Sequence, residues 1–334
     1  MKNKLGSEQI AKFLEAGWMM RLLVAALALY FILAVLMGIY WDNEPEPFVV
    51  TNVAAEHAKL HNRELSEGYT ISVALMTVAE TLLDKSGGYI SNDVFPPGLW
   101  LDNISNWEFG VLVQVRDLSR AMRKDFSRSQ SQSAEDIDLA ISEPQFHFDN
   151  SSWGLPDTEG EYRRAIEKLN NYTLRLNDES NGGAKFYARA DNLRQWLKDV
   201  ETRLGSLSQR LSASVEQTRL FKKAGKENDA PVETTDWMKI DDIFYETRGT
   251  TWALIHFLKA IEVDFADVLN QKNAAESMAQ IIDELEATQA GVWTPVILNG
   301  EGFGFTANHS LIMVSYIAQA NAAIIDLRTL LSQG

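Results

Sequence analysis

His57 and His61 stand four residues apart on a predicted helix, with Glu56 and Glu64 nearby, and that spacing can bring two imidazoles onto one metal ion. A zinc-protease helix needs Glu directly after its first His, and Ala58 holds that place. His57 also shares a helical stripe with Val53 and Leu60. Packing is therefore the adopted reading, and neither a metal nor any other cofactor is expected. A second chemistry would use Asp241, Asp242 and Glu246, whose carboxylates fall on neighbouring helical turns and could divide acid and base roles in glycan hydrolysis. Acidic residues at a helix start also suit its dipole, so these three are catalytic candidates with a plain structural alternative. The sequence contains no nucleophile elbow, no Ser-x-x-Lys pair and no Walker phosphate loop. It has no cysteine, which removes disulfides, thiolate zinc sites, iron–sulfur clusters and cysteine nucleophiles.

Two features suggest binding rather than catalysis. Arg116, Arg120, Lys124 and Arg128 form an i, i+4 basic ridge that would meet an anionic partner unless Asp117, Asp125 or other acids pair with it. Phe95 and Trp100 in one Pro- and Gly-rich loop, and Trp293, Phe303 and Phe305 in another, concentrate large apolar side chains outside regular helices. Such loops either dock a partner or fold over the core and bury one another.

The elements that position these residues begin with an anchor. Leu22 to Trp41, LLVAALALYFILAVLMGIYW, carries no charge, and at about 1.5 Å per helical residue it matches a hydrocarbon core of roughly 30 Å. It lacks the short apolar stretch and small-residue end of a cleaved signal peptide. Lys2, Lys4, Lys12 and Arg21 precede it, whereas Asp42, Glu44 and Glu46 follow, so the positive-inside bias places the N-terminus in the cytoplasm. Four of the 31 basic and two of the 46 acidic residues lie before the span, leaving 27 against 44 beyond it, a net charge of −17. A surface so acidic argues against nucleic acid as a partner. The expected partners are the lipid bilayer, through Leu22 to Trp41, and other envelope proteins.

Beyond the anchor the chain reads as all-α. Residues 1–21 form a cytoplasmic tail, 22–41 the transmembrane helix, 42–49 a Pro-containing linker and 50–128 a first helical half. A polar connector (129–157), a helical hairpin (158–218), a linker (219–235) and a second helical half (236–334) follow. In the first half, helices over 50–64 and 69–84 precede a capping box, Ser105 to Glu108, which opens a third helix. That helix carries Ile104, Trp107, Val111, Val115, Leu118, Met122 and Phe126 on one face. Leu193, Leu197, Val200, Leu204, Leu207 and Leu211 follow heptad spacing and predict an antiparallel hairpin of coiled-coil type. A break near Gly249, a cap at Asn273 and Glu276, a central place for the last helix and a small β-hairpin near residue 299 complete the expectation.

Gly88-Tyr-Ile-Ser-Asn-Asp through Pro96-Pro97-Gly, then Leu101-Asp-Asn-Ile-Ser-Asn-Trp-Glu-Phe-Gly110, together with the anchor and Tyr245-Glu-Thr-Arg-Gly249, resemble one family. It is the uncharacterised proteobacterial inner-membrane family called domain of unknown function 2333. The resemblance covers nearly the whole chain and implies a Gram-negative inner membrane with the domain in the periplasm; it supplies no catalytic residue. The leading reading is a non-enzymatic periplasmic scaffold or adaptor. An envelope hydrolase, or a ligand-binding subunit signalling through a separate partner, is the alternative.

Overall fold

The computed structural model describes residues 17–130, 132–176, 178, 183–214, 235–291, 297 and 309–333. Among the described residues the chain forms eleven α-helices and no strand. The first five are α1 (Trp18–Trp41), α2 (Val50–Leu60), α3 (Tyr69–Asp84), α4 (Asp102–Ala121) and α5 (Leu139–Phe146). Then come α6 (Thr158–Leu174), α7 (Ala190–Ser214), α8 (Ile240–Asp264), α9 (Ala266–Gln271), α10 (Ala275–Ala287) and α11 (His309–Ser332). The β-hairpin expected near residue 299 lies outside the described residues.

The centre of the bundle is α8, buried almost continuously from Thr247 to Leu258 and packed against α3, α4, α7 and α10. It does not break at Gly249. That glycine is there for contact: a Cβ on it would lie 2.0 Å from the Trp107 carbonyl oxygen, and one on Gly110 would lie 2.1 Å from the Glu246 oxygen. Two glycines facing across the crossing of α4 and α8 let the backbones approach closely, and the wider stripe from Ile104 to Phe126 is buried as its period predicts. The long helical segment instead breaks at Phe265, between α8 and α9.

Several boundaries differ from the expectation for local physical reasons. Helix α2 stops at Leu60 because Asn62, at φ 51°, closes a Schellman turn, with Asn62 N–H donating to Lys59 O and Arg63 N–H to Ala58 O. Asn273 repeats this at the end of α9, where its N–H donates to Asn270 O and that of Ala274 to Leu269 O, so it ends one helix instead of capping the next. The capping box is also revised, since α4 already begins at Asp102 and Glu108 faces inward, fully buried. Its carboxylate accepts from Ile90 N–H and Ser91 N–H, both at 2.8 Å, and meets the buried Lys85 ammonium at 2.5 Å. Part of the polar connector is helical as well: Leu139 and Phe146 are buried, and Ser142 Oγ donates to Ala165 O at 2.8 Å, which fixes α5 on α6.

The antiparallel hairpin is not the packing adopted. Its heptad seam from Leu193 to Leu211 is buried, yet α7 packs chiefly on α11, while α6 packs on α5 and α3. Periodicity announces a buried face without naming what covers it. The last helix therefore flanks the bundle, with Ile312 and Ile325 exposed. It is long and apolar enough to cross a membrane, as α1 is, but it is clamped to the fold by Arg328 and Glu201.

Candidate functional site at the anchor junction

The linker after α1 is fixed to the domain. Pro45 and Pro47 favour extended backbone, which carries Glu44 and Phe48 across the surface of α8. Arg248, buried in the first half of α8, donates from Nε to Glu44 Oε1 at 2.7 Å and from a terminal nitrogen to Oε2 at 2.5 Å. Its other terminal nitrogen donates to the carbonyls of Thr288 and Ala290, both at 2.9 Å, just past the end of α10. One guanidinium thus joins the strap, α8 and the α10 terminus, using the bidentate geometry that only arginine offers a carboxylate. The strap closes over a cavity of about 430 Å³ lined by Glu44, Pro45, Pro47, Tyr245, Arg248 and Trp252.

Two turns along α8, Phe48 stacks on His256 with centroids 4.0 Å apart, and ring contacts continue inward, tilted from His256 to Trp252 and edge-on from Trp252 to Trp107. Phe48 N–H donates to His256 Nε2 at 3.0 Å, so the proton sits on Nδ1, which donates to Trp252 O at 2.7 Å. Burial pushes this imidazole down to about 4, with the Trp252 carbonyl opposing and Lys259 adding to the shift. The unfolded imidazole accepts a proton near pH 6.5 that the folded one refuses. The contribution is therefore complete above 6.5 and is lost as the pH falls toward 4, about 3 kcal/mol in all. Asp42 and Asp264, whose carboxyls burial pushes up to about 6 and about 7, act in the opposite sense. The difference between wild type and His256→Gln isolates the histidine. Unfolding measured from pH 7 to 4 should show a shallower acid loss in His256→Gln, whereas superimposable profiles would mean that the ring takes up its proton freely in the fold.

The loop between α3 and α4 lies along α1. Tyr30 Oη donates to Pro96 O at 3.0 Å, Trp100 meets Phe31 edge-on at 5.9 Å, and Pro97 and Leu101 rest against Gly38. Tyr30, Ala34, Gly38 and Trp41 mark one face of α1, and Ala34 and Gly38 are its buried residues. The ring of Trp41 covers Gly87, whose φ of 86° and lack of a side chain both suit the end of α3. Beside Trp41 opens a groove of about 750 Å³ walled by Phe95, Pro97, Trp153 and Leu155 and by the carboxylates of Asp93, Asp157 and Glu159.

The residues singled out from sequence are mostly engaged elsewhere. His57 has both ring nitrogens partnered, Nδ1 with the Tyr69 hydroxyl at 2.7 Å and Nε2 with Asn170 Oδ1 at 3.1 Å, and its ring lies 4.5 Å from that of His61. Burial, then His61, lowers its pKa. Among the described residues no three His, Asp or Glu side chains are placed to share a metal. Asp241 and Asp242 sit in the first turn of α8, where Asp242 accepts from Asn106 at 2.8 Å, and Glu246 pairs with Arg210 at 2.5 Å. Most of the basic ridge is spent within the fold. Arg116 donates to Phe146 O and Phe148 O, Arg120 pairs with Asp117 and Asp199, and Arg128 lies 3.9 Å from Glu135; Lys124 is exposed. Phe95 and Trp100 are exposed, while Trp293, Phe303 and Phe305 lie outside the described residues. Arg248, Glu44 and His256 were missed. The available signal was an arginine and a histidine within the apolar stretch of α8, where each needs a specific partner.

The family model for uncharacterized proteins conserved in bacteria, domain of unknown function 2333, matches residues 14–334. The chain belongs to this family. The match takes in α1, the strap and every helix of the bundle. No curated protein and no solved structure matches the chain.

Proposed function

We propose that this member of the family is a single-pass inner-membrane protein, N-terminus cytoplasmic and domain periplasmic, that works as a non-enzymatic scaffold or adaptor for other envelope proteins. The observation that carries the reading is the strap: Glu44 on Arg248 and Phe48 on His256 hold the domain at a fixed height and orientation on its anchor. A tethered enzyme has no need of that constraint, whereas a platform that presents one face to membrane-bound partners does. The basic residues before α1, Lys2, Lys4, Lys12 and Arg21, support the topology.

Crosslinking in intact cells tests the reading, using the full chain and the double variant Glu44→Ala/Phe48→Ala, which frees the strap. The expected result is a defined set of envelope proteins captured by the wild type and depleted in the variant at equal abundance. Absence of any captured partner, or release of product from envelope glycan by the purified full chain, would overturn it.

A ligand-binding role has one specific observation in its favour. A cleft of about 250 Å³ beside Glu246, Arg203 and Arg210 is lined by Gln114, whose buried Nε2 has no hydrogen-bond partner among the described residues.

A further inference from the structure

Phe95 to Leu101, FPPGLWL, is a charge-free loop, and it is not folded away: Phe95 is 75% and Leu99 61% exposed, with Trp100 about half exposed. Beside it the loop before α6 presents Trp153 and Leu155, the latter 99% exposed. An apolar patch of this size open to water is costly for a soluble domain. Its position relative to α1 identifies what covers it. Phe31, which touches Trp100, is ten residues before Trp41, or about 15 Å down the helix axis, and Tyr30, bonded to Pro96, is one residue deeper. Arg21 to Trp41 supplies only about 30 Å of helix, the thickness of the hydrocarbon core, so α1 has no turns to spare for standing clear of the bilayer.

The backbone carbonyls of this segment support the same placement. Irregular backbone tolerates a lipid environment only if its polar groups are satisfied within the protein. Here four consecutive carbonyls each accept a hydrogen bond: Phe95 O from Leu99 N–H, Pro96 O from the Tyr30 hydroxyl, Pro97 O from Trp100 N–H and Gly98 O from Leu101 N–H, all between 2.9 and 3.2 Å. Pro96 and Pro97 bring no N–H to satisfy. Charge resumes at both ends, at Asp93 and Asp102, as it does at Asp42 just past α1.

We propose that the 94–101 loop, with Trp153 and Leu155 at its side, is a membrane-inserted wedge that enters the leaflet on the domain's side of the bilayer and packs along α1. It rests on α1 crossing the membrane. The domain is then held at two points, by the anchor and strap on one side and by the wedge on the other. A protein partner on this patch is the competing occupant.

The absence of native cysteine makes the test direct. Single variants Leu99→Cys and Leu155→Cys, with Leu29→Cys in α1 and Asp191→Cys on the exposed start of α7 as references, carry a nitroxide on the full chain. The chain is reconstituted alone into phosphatidylethanolamine and phosphatidylglycerol vesicles. Spin relaxation by oxygen, which enters lipid, is compared with that by a water-soluble nickel chelate. Leu99 and Leu155 should show the oxygen-favoured ratio of Leu29. If both show the chelate-favoured ratio of Asp191 while Leu29 remains in lipid, the wedge is wrong, its patch being left for a protein, and the anchor stands. Chelate access at Leu29 as well would overturn the anchor and the wedge together.

Discussion

Gly249→Ala should destabilise the domain by about 3 kcal/mol or more, at the upper end for overpacking, because the new methyl group meets backbone that no rotamer change can move. Its Cβ would sit 2.0 Å from Trp107 O, and the matching change at Gly110 would put a Cβ 2.1 Å from Glu246 O and 2.7 Å from Thr250 N. Helices α4 and α8 would have to separate along their whole crossing, loosening the contacts of Trp107, Val111 and Trp252. Gly205→Ala gives the opposite sign. A Cβ there meets only Asn321 Nδ2 at 3.8 Å, so removing a glycine from the interior of α7 should stabilise by about 0.5–1 kcal/mol. Denaturant unfolding of the three variants beside the wild type checks both. Equal stability of Gly249→Ala and wild type would mean that the two helices do not cross this closely.

Glu108→Ala is expected to cost about 3–5 kcal/mol, since it strands a buried ammonium at Lys85 and leaves the N–H groups of Ile90 and Ser91 without their acceptor. Burial raises the Glu108 pKa, and the Lys85 charge with the Ser91 and Ile90 donors draws it back. Lys85→Met leaves the opposite charge stranded and should be similarly harmful. The double variant Glu108→Ala/Lys85→Met should lose less than the sum of the two single losses, because neither charge then remains buried alone. Thermal unfolding of the singles and the double completes the cycle, and simple additivity would show that the two side chains act independently. The functional consequence is local. Glu108 and Lys85 fix the loop from Gly88 to Ser91, which leads into the apolar 94–101 segment.

The parts legible from sequence are those governed by local chemistry. An uninterrupted apolar run specifies a helix of anchor length, and α1 forms over Trp18–Trp41. A three- and four-residue apolar period specifies a buried face, which is why the stripe of α4 and the seam of α7 were read correctly. Glycines at the end of α3 take the left-handed conformations that their type permits. The same reasoning misplaced the role of Ser105 to Glu108. A Ser-x-x-Glu pattern fits a cap equally well as it fits a buried carboxylate, and only the presence of Lys85 and the loop N–H groups decides between them.

Tertiary structure alone decided which faces meet and which polar residues share a partner. The α7 seam pairs with α11, more than a hundred residues later, because amphipathic faces are interchangeable in pattern and only shape and chain connectivity select among them. A glycine at 249 suggests a helix break by its type, whereas the Trp107 backbone packed against it is what requires it. Arg248 and Glu44 lie some two hundred positions apart, as do Phe48 and His256, and no local period links such pairs. By itself the sequence determined an apolar N-terminal helix followed by an acidic, cysteine-free, all-α domain, since hydropathy, charge and helical period are properties of neighbouring residues. Folding determined that the domain is strapped to that helix and lays an apolar loop along it, since burial and ion pairing depend on distances in space that the order of residues does not contain.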